Sequence, residues 1–349
     1  MHPYQSLPDY HFWSRAVSKV EPFRVDPVTL AKFQITPLQR VSTAGSCFAQ
    51  HISKHLTNLG FSYFVPEAAG HLPASEQQIL QYGVFSARYG NLYTVRQLCQ
   101  LFDEAFGRRT PSVSAWVRAD GHFADPLRPN IQPHGFPSLD AVLADRHTHL
   151  THVRTVFLDS DVFVFTLGLT EAWRHRSSGD VYPLAPGVAA GVYDPDLYEF
   201  VNFSAHETQT DLLSFLSDLK ACNPRVQVLL TVSPVPLIAT YEPRHVLVSN
   251  ILSKSILRVA AQAAVDTFSW VDYFPSYELF AGAHHQGRYF REDLREAAPM
   301  GVAHAMRLFA AHYLQRDAAL AQPLPDATDS GPQLQQILCD EESIAKTSF

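Results

Sequence analysis

The sequence predicts an α/β fold, a three-layer sandwich around a mainly parallel central sheet. Three observations lead there. Residues 161–168 (DVFVFTLG) and 226–232 (VQVLLTV) are short, β-branched and aromatic-rich apolar runs, as expected of strands covered on both faces. Segments with a 3.6-residue apolar period stand between the runs, so strands and helices alternate. The runs end in Gly168 and in Ser233-Pro234, the punctuation of a strand that hands over to a loop.

The elements follow in order. Residues 40–44 form a short strand stopped by Gly45. Residues 47–59 form a helix with Phe48, Ile52, Leu56 and Leu59 on one face and Gly60 as its stop. Residues 61–65 are a second short strand candidate, closed by Pro66. Residues 94–106 are helical, with Leu98, Leu101, Phe102 and Phe106 on one stripe. Residues 107–136 lack a period and are an insertion or long loop. Ser138 caps a helix over 138–157. After the 161–168 strand, 174–206 is irregular, 207–222 is helical, 226–232 is a strand, and 246–265 is a long helix. A last strand over 268–274 and a closing helix over 299–313 complete the body.

The chain divides into an N-terminal arm (1–35), one α/β domain (36–318) and a flexible Pro, Asp, Gln and Ser-rich tail (319–349). The arm is expected to bury Tyr4, Phe12 and Trp13. The 349 residues are 46% hydrophobic and 17% charged, enough apolar material for a large core. A net charge of −7 with no basic run argues against a nucleic-acid binder. No apolar run is long enough to span a bilayer. The first residues lack the order of a secretory signal, so the expected location is cytoplasmic. The four cysteines are scattered and carry no zinc spacing. Of the 17 histidines, His147, His149 and His152 cluster on one helix, where a solvated or hydrogen-bonded face is the simpler account. No metal or cofactor is expected, and no phosphate-loop motif is present.

In parallel α/β sheets, ligands gather at the carboxyl ends of the strands. That rule selects Gly45-Ser46-Cys47, Gly168-Leu169-Thr170-Glu171, Ser233-Pro234 and the segment after Phe274. Cys47 falls at a strand-to-helix turn, where unpaired N–H groups favour a thiolate and can hold an oxyanion. Ser46 is either the nucleophile in its place or a helix cap.

The string GSCFA at 45–49 resembles the GSCFA-domain family. So do PYQSLPDYHFW (3–13), FSARYGNLYTVRQL (85–98), FVFTLGLTEAW (163–173), TVSPVPL (231–237) and FPSYEL (274–279), in that order. The resemblance implies a branch of the SGNH (GDSL-like) hydrolase superfamily with a flavodoxin-like sheet. It implies an esterase or acyltransferase acting on an O-acylated carbohydrate or small molecule. Overlaid on the superfamily's G-D-S block, Cys47 takes the place of the nucleophilic serine and Ser46 that of the aspartate. Gly90 and Asn91 are candidates for the second block's oxyanion role, and Arg88 binds substrate or pairs with Glu171. Gly168-Leu169-Thr170-Glu171 matches the G-x-N-D block, with Thr170 in the asparagine's place.

The last block, D-x-x-H, departs from the pattern. Asp293 falls at the aspartate position and Glu296 at the histidine position. The base is then His304, His284 or His285, or Glu296, or the site is no hydrolase site at all. In that last case the fold is a degenerate binding module for a glycan or a polysaccharide-assembly partner.

Overall fold

The computed structural model describes residues 2–315, 337 and 339–346. In chain order, β1 (Val41–Gly45) leads into α1 (Ala49–Asn58), and α2 (Ala74–Ile79) and α3 (Val95–Ala105) follow. Thr94 closes a capping box at the start of α3: its hydroxyl accepts from Gln97 N, and the Gln97 side chain accepts from Thr94 N. β2 (Trp116–Val117) and β3 (Phe123–Ala124) pair as a hairpin within the 107–136 stretch. α4 (Leu139–Asp159) starts at Ser138, whose hydroxyl accepts from Ala141 N, as the sequence predicts. Then come β4 (Val162–Leu167), β5 (Glu171–His175), β6 (Val181–Tyr182), β7 (Tyr198–Asn202) and α5 (Ala205–Cys222). β8 (Gln227–Val232), α6 (Val246–Thr267), β9 (Val271–Tyr273), α7 (Ser276–Ala281), α8 (Pro299–Tyr313) and α9 (Glu342–Lys346) complete the order.

The central sheet runs β1-β4-β8-β9, every pair parallel. The period of two along β4 serves two cores. Phe163, Phe165 and Leu167 pack with Leu98 of α3, Phe157 of α4, Leu216 of α5 and Leu257 of α6. Val162 and Val164 pack on the other face with Ile52 of α1, Leu279 of α7 and Phe309 of α8. Both faces are covered, which is why these strands are continuous apolar runs. The result is the three-layer α/β sandwich expected from the sequence. No helix among the described residues is long and apolar enough to cross a membrane.

Four local expectations change. Residues 61–65 form no strand; only Tyr63 bridges to Val41. The 174–206 stretch contributes to a second, antiparallel sheet, β6-β5-β7. Its strands are short and half-buried, with Arg174 and Arg176 paired to Glu199 on the wet side, so no apolar run announces them. Tyr4 and Trp13 of the arm are 63% and 71% exposed, and the arm is anchored instead by Val28, Phe33 and Ile35. Ile35 N donates to Tyr313 O at 2.6 Å, which ties the arm to the end of α8. Finally, part of the stretch expected as a flexible tail is packed: residues 339–344 are buried or half-buried against the body. The rest of that stretch, 319–336, 338 and 347–349, lies outside the described residues.

Gly45 is needed where β1 ends. Its φ is +120°, and a Cβ there would collide with the Thr166 carbonyl and stand 2.7 Å from Thr166 N. Gly45→Ala is expected to cost about 2–5 kcal/mol, combining backbone strain with overpacking. A urea titration reads this as a lower midpoint with an unchanged slope.

Candidate active site

The register Gly45↔Thr166 and Leu167↔Val232 lines up the carboxyl ends of β1, β4 and β8. Ser46 N donates to Thr166 O at 3.0 Å and Ser233 N to Leu167 O at 2.8 Å, which locks the three strand ends together. The loop ahead of α3 lies across them: Leu92 N donates to Gly45 O, and the N–H groups of Gly168 and Leu169 both donate to Tyr93 O. Cys47 stands in the tight turn that feeds α1. Ser46 O accepts from Ala49 N and Cys47 O from Gln50 N. Cys47 is 3% exposed and borders a cavity of about 240 Å³, together with His51, Asp293, Arg295 and Glu296.

Two buried cations, Lys254 and Arg295, lie within electrostatic reach of Cys47. Lys254 comes from the buried stripe of α6, among Ser253, Leu257 and Ala261, and donates from Nζ to Gly168 O at 2.7 Å. Burial pushes its ammonium down to about 8, with Glu341 and Cys47 pulling the other way. Arg295 donates to Pro236 O at 3.1 Å and pairs with Glu341 at 2.8 Å. Burial works against its charge, while Glu341, Cys339 and Cys47 favour it. A buried lysine that titrates near 8 can hold a neighbouring thiolate as an ion pair or exchange a proton with it. His51, on α1, is pushed down to about 4 by burial, with Lys54 adding to the effect, so it is neutral at pH 7.

The C-terminal segment closes the site. The Cys339 thiol is hydrogen-bonded to Cys47. Asp340 Oδ2 accepts from Asn91 Nδ2 at 2.9 Å and Asn91 N at 3.3 Å, and Asp340 Oδ1 accepts from Asn130 Nδ2 at 2.9 Å. Glu341 pairs with Arg295, and its own N–H donates to the Tyr93 hydroxyl. Ile344 reaches a neighbouring groove of about 290 Å³ walled by Trp173, Phe200, Leu237 and Tyr241.

The residues singled out in the sequence separate into two groups. Cys47, Asp293 and Glu296 share the cavity, Ser46 and Gly168 adjoin each other at the neighbouring strand ends, and Gly90 and Asn91 lie against Asp340. Glu296 is 63% exposed and paired with Arg291 at 3.0 Å, while Asp293 accepts from the N–H groups of Arg295 and Glu296. The Ser46 hydroxyl is buried and has no hydrogen-bond partner among the described residues. The others are engaged elsewhere. Thr170 donates its hydroxyl to Asn202 at 2.7 Å, and Glu171 accepts from Thr240 beside the apolar groove. Arg88 does not pair with Glu171; its guanidinium is spent on Asp145, the Tyr82 hydroxyl and the carbonyls of Leu80 and Ile131.

The histidines expected near the last block form a separate aromatic cluster. His285 Nε2 donates to Phe280 O at 2.7 Å, and its ring stacks on Tyr289, with His284 alongside. His304 Nδ1 lies 2.5 Å from the Tyr289 hydroxyl, and neither it nor the pair borders the Cys47 cavity. Burial, helped by the Arg307 charge, pushes His304 from 6.5 down to about 4. Between those values the unfolded chain binds a proton that the folded chain refuses. Stability is therefore flat above about pH 6.5 and falls as the pH drops toward 4, by roughly 3 kcal/mol from this ring. Chemical denaturation at pH 7 and pH 4.5 reads the slope, and His304→Asn should reduce it by this ring's share, leaving that of His51.

Arg295, His51, Asn130 and the Cys339-Asp340-Glu341 segment are absent from the sequence candidates, while the sequence left Lys254 open between a substrate contact and a backbone contact. Lys254 carried a usable signal, since a lysine inside a buried helical stripe must find an anionic or carbonyl partner. His51 falls four residues after Cys47 and so reaches the same end of α1. No curated protein matches the chain. The GSCFA family model matches residues 40–309, from the start of the sheet to α8 and so most of the chain. On that match, the chain belongs to the GSCFA family.

Proposed function

We propose that the protein is an SGNH-like esterase or acyltransferase that acts on an O-acylated carbohydrate or small molecule through Cys47. The observation that carries this reading is a thiol at a strand-end turn that shares a cavity with Arg295, with the buried Lys254 on the carbonyl of Gly168 at the adjacent strand end. The Lys254 amine takes the Cys47 proton, which leaves a thiolate and an ammonium. The thiolate attacks the ester carbonyl, and the oxyanion is held by Asn91. The carbon–oxygen bond then breaks, and the alkoxide leaves with a proton from Lys254. The neutral amine next takes a proton from water or an acceptor hydroxyl, whose oxygen attacks the thioester and releases the thiolate. The sum is hydrolysis in the first case and transfer in the second.

A binding-module reading draws support from Glu296 in the usual histidine's place and from the covered thiol. A panel of aryl, acetyl-sugar and thioester substrates separates the two. The enzyme reading expects turnover of at least one ester and a loss of at least tenfold in Lys254→Met. A wild-type chain that turns over none of them leaves the binding module.

A further inference from the structure

We infer that Gly90, Asn91 and Asn130 form a carboxylate subsite at the Cys47 centre, and that the chain's own Cys339-Asp340-Glu341 segment occupies it and must withdraw before a substrate carbonyl enters. Three amide N–H donors converge on the two oxygens of one carboxylate, that of Asp340. These donors are neutral, so they suit both a carboxylate and the partial charge of an acyl carbonyl or its oxyanion. Gly90 has φ +66°, a conformation that favours glycine, and its backbone lies against the carboxylate, where a Cβ would stand in ordinary contact 3.7 Å from Asp340 Oδ2.

The seating is specific. Asp340 and Glu341 are only 6% and 7% exposed, and burying two carboxylates is costly unless each finds partners. Asp340 has the three amide donors, and Glu341 has Arg295 with the Lys254 charge nearby. The Cys339 thiol meanwhile rests on Cys47. The segment thus satisfies the nucleophile, its cations and the amide donors at once. Ester hydrolysis leaves a carboxylic acid, and the acid product would meet the same amide donors that Asp340 fills. The ligand class is therefore a carboxylate or the acyl group that becomes one. This inference rests on the Cys47 acyl-transfer reading for its substrate, though not for the docking itself.

The test uses the full chain with Cys99→Ser and Cys222→Ser. Treatment with diamide is expected to join Cys47 to Cys339. The two thiols give up two protons and two electrons, and the diazene becomes a hydrazine. Peptide mapping without reductant identifies the link. Adding Asp340→Asn and Glu341→Gln turns amide N–H groups toward existing donors and removes the partner of Arg295. The link should then form more slowly, and iodoacetamide should alkylate Cys47 at least tenfold faster. Propanoate should slow that alkylation again. Absence of the Cys47–Cys339 link, or equal alkylation rates in the two chains, overturns the inference. Faster alkylation in the variant without turnover of any ester supports the docking and removes the nucleophile reading instead.

Discussion

Cys47→Ala is expected to lower ester turnover by at least about 10³-fold while leaving the fold intact. Without the sulfur, only water can attack, and the remaining acceleration comes from positioning and the amide donors. The side chain is small, so truncation removes little packing, on the order of 1 kcal/mol. A melting curve beside the kinetic assay separates the two effects. Cys47→Ser is expected to rescue little. A hydroxyl ionises far above a thiol, and a lysine held near 8 is too weak a base to activate it.

Asp125→Ala is expected to give the largest loss of stability, about 3–5 kcal/mol. Asp125 is 1% exposed and accepts from Arg128 Nε at 2.9 Å, from Arg146 Nε at 3.1 Å and from Leu127 N at 3.0 Å. Burial works against its charge, yet Arg146 and Arg128 together hold its carboxyl well below the usual range. Removing it leaves two buried guanidinium groups short of a counter-charge. Breaking one side of a buried ion pair is costly for that reason. Arg128 also bonds Asp145, which in turn holds Arg88, so the loss spreads to the loop that carries Gly90 and Asn91. Guanidinium denaturation of the variant measures the cost directly, and Asp125→Asn should recover part of it.

The sheet was legible because burial on both faces leaves strands such as β4 with no charged residue and every position buried. The small antiparallel sheet was not, because β5 and β7 keep one side wet and pair arginine with glutamate across it. The strand-end rule singled out Cys47 and Gly168 from topology alone, and they follow the paired strands β1 and β4, whereas Asn91 came from the family resemblance. It missed what topology does not encode. Lys254 arrives from a distant helix, and Arg295 comes from the loop before α8. The segment 339–341 was hidden by its neighbours: a cysteine and two acids in a Pro, Asp, Gln and Ser-rich stretch look like a tail until their partners are in place. His304 misled in the opposite way. Its distance along the chain from Asp293 suggested a displaced catalytic base, whereas its ring is committed to Tyr289 and packs edge-on against Phe23 of the arm.

The central claim is that Cys47 forms the acyl-enzyme. Mass spectrometry of the protein quenched during ester turnover tests it most directly. The account predicts an acyl adduct on the peptide that carries Cys47, released by hydroxylamine and absent from Cys47→Ala. An adduct on Ser46, or turnover that continues in Cys47→Ala, would contradict it.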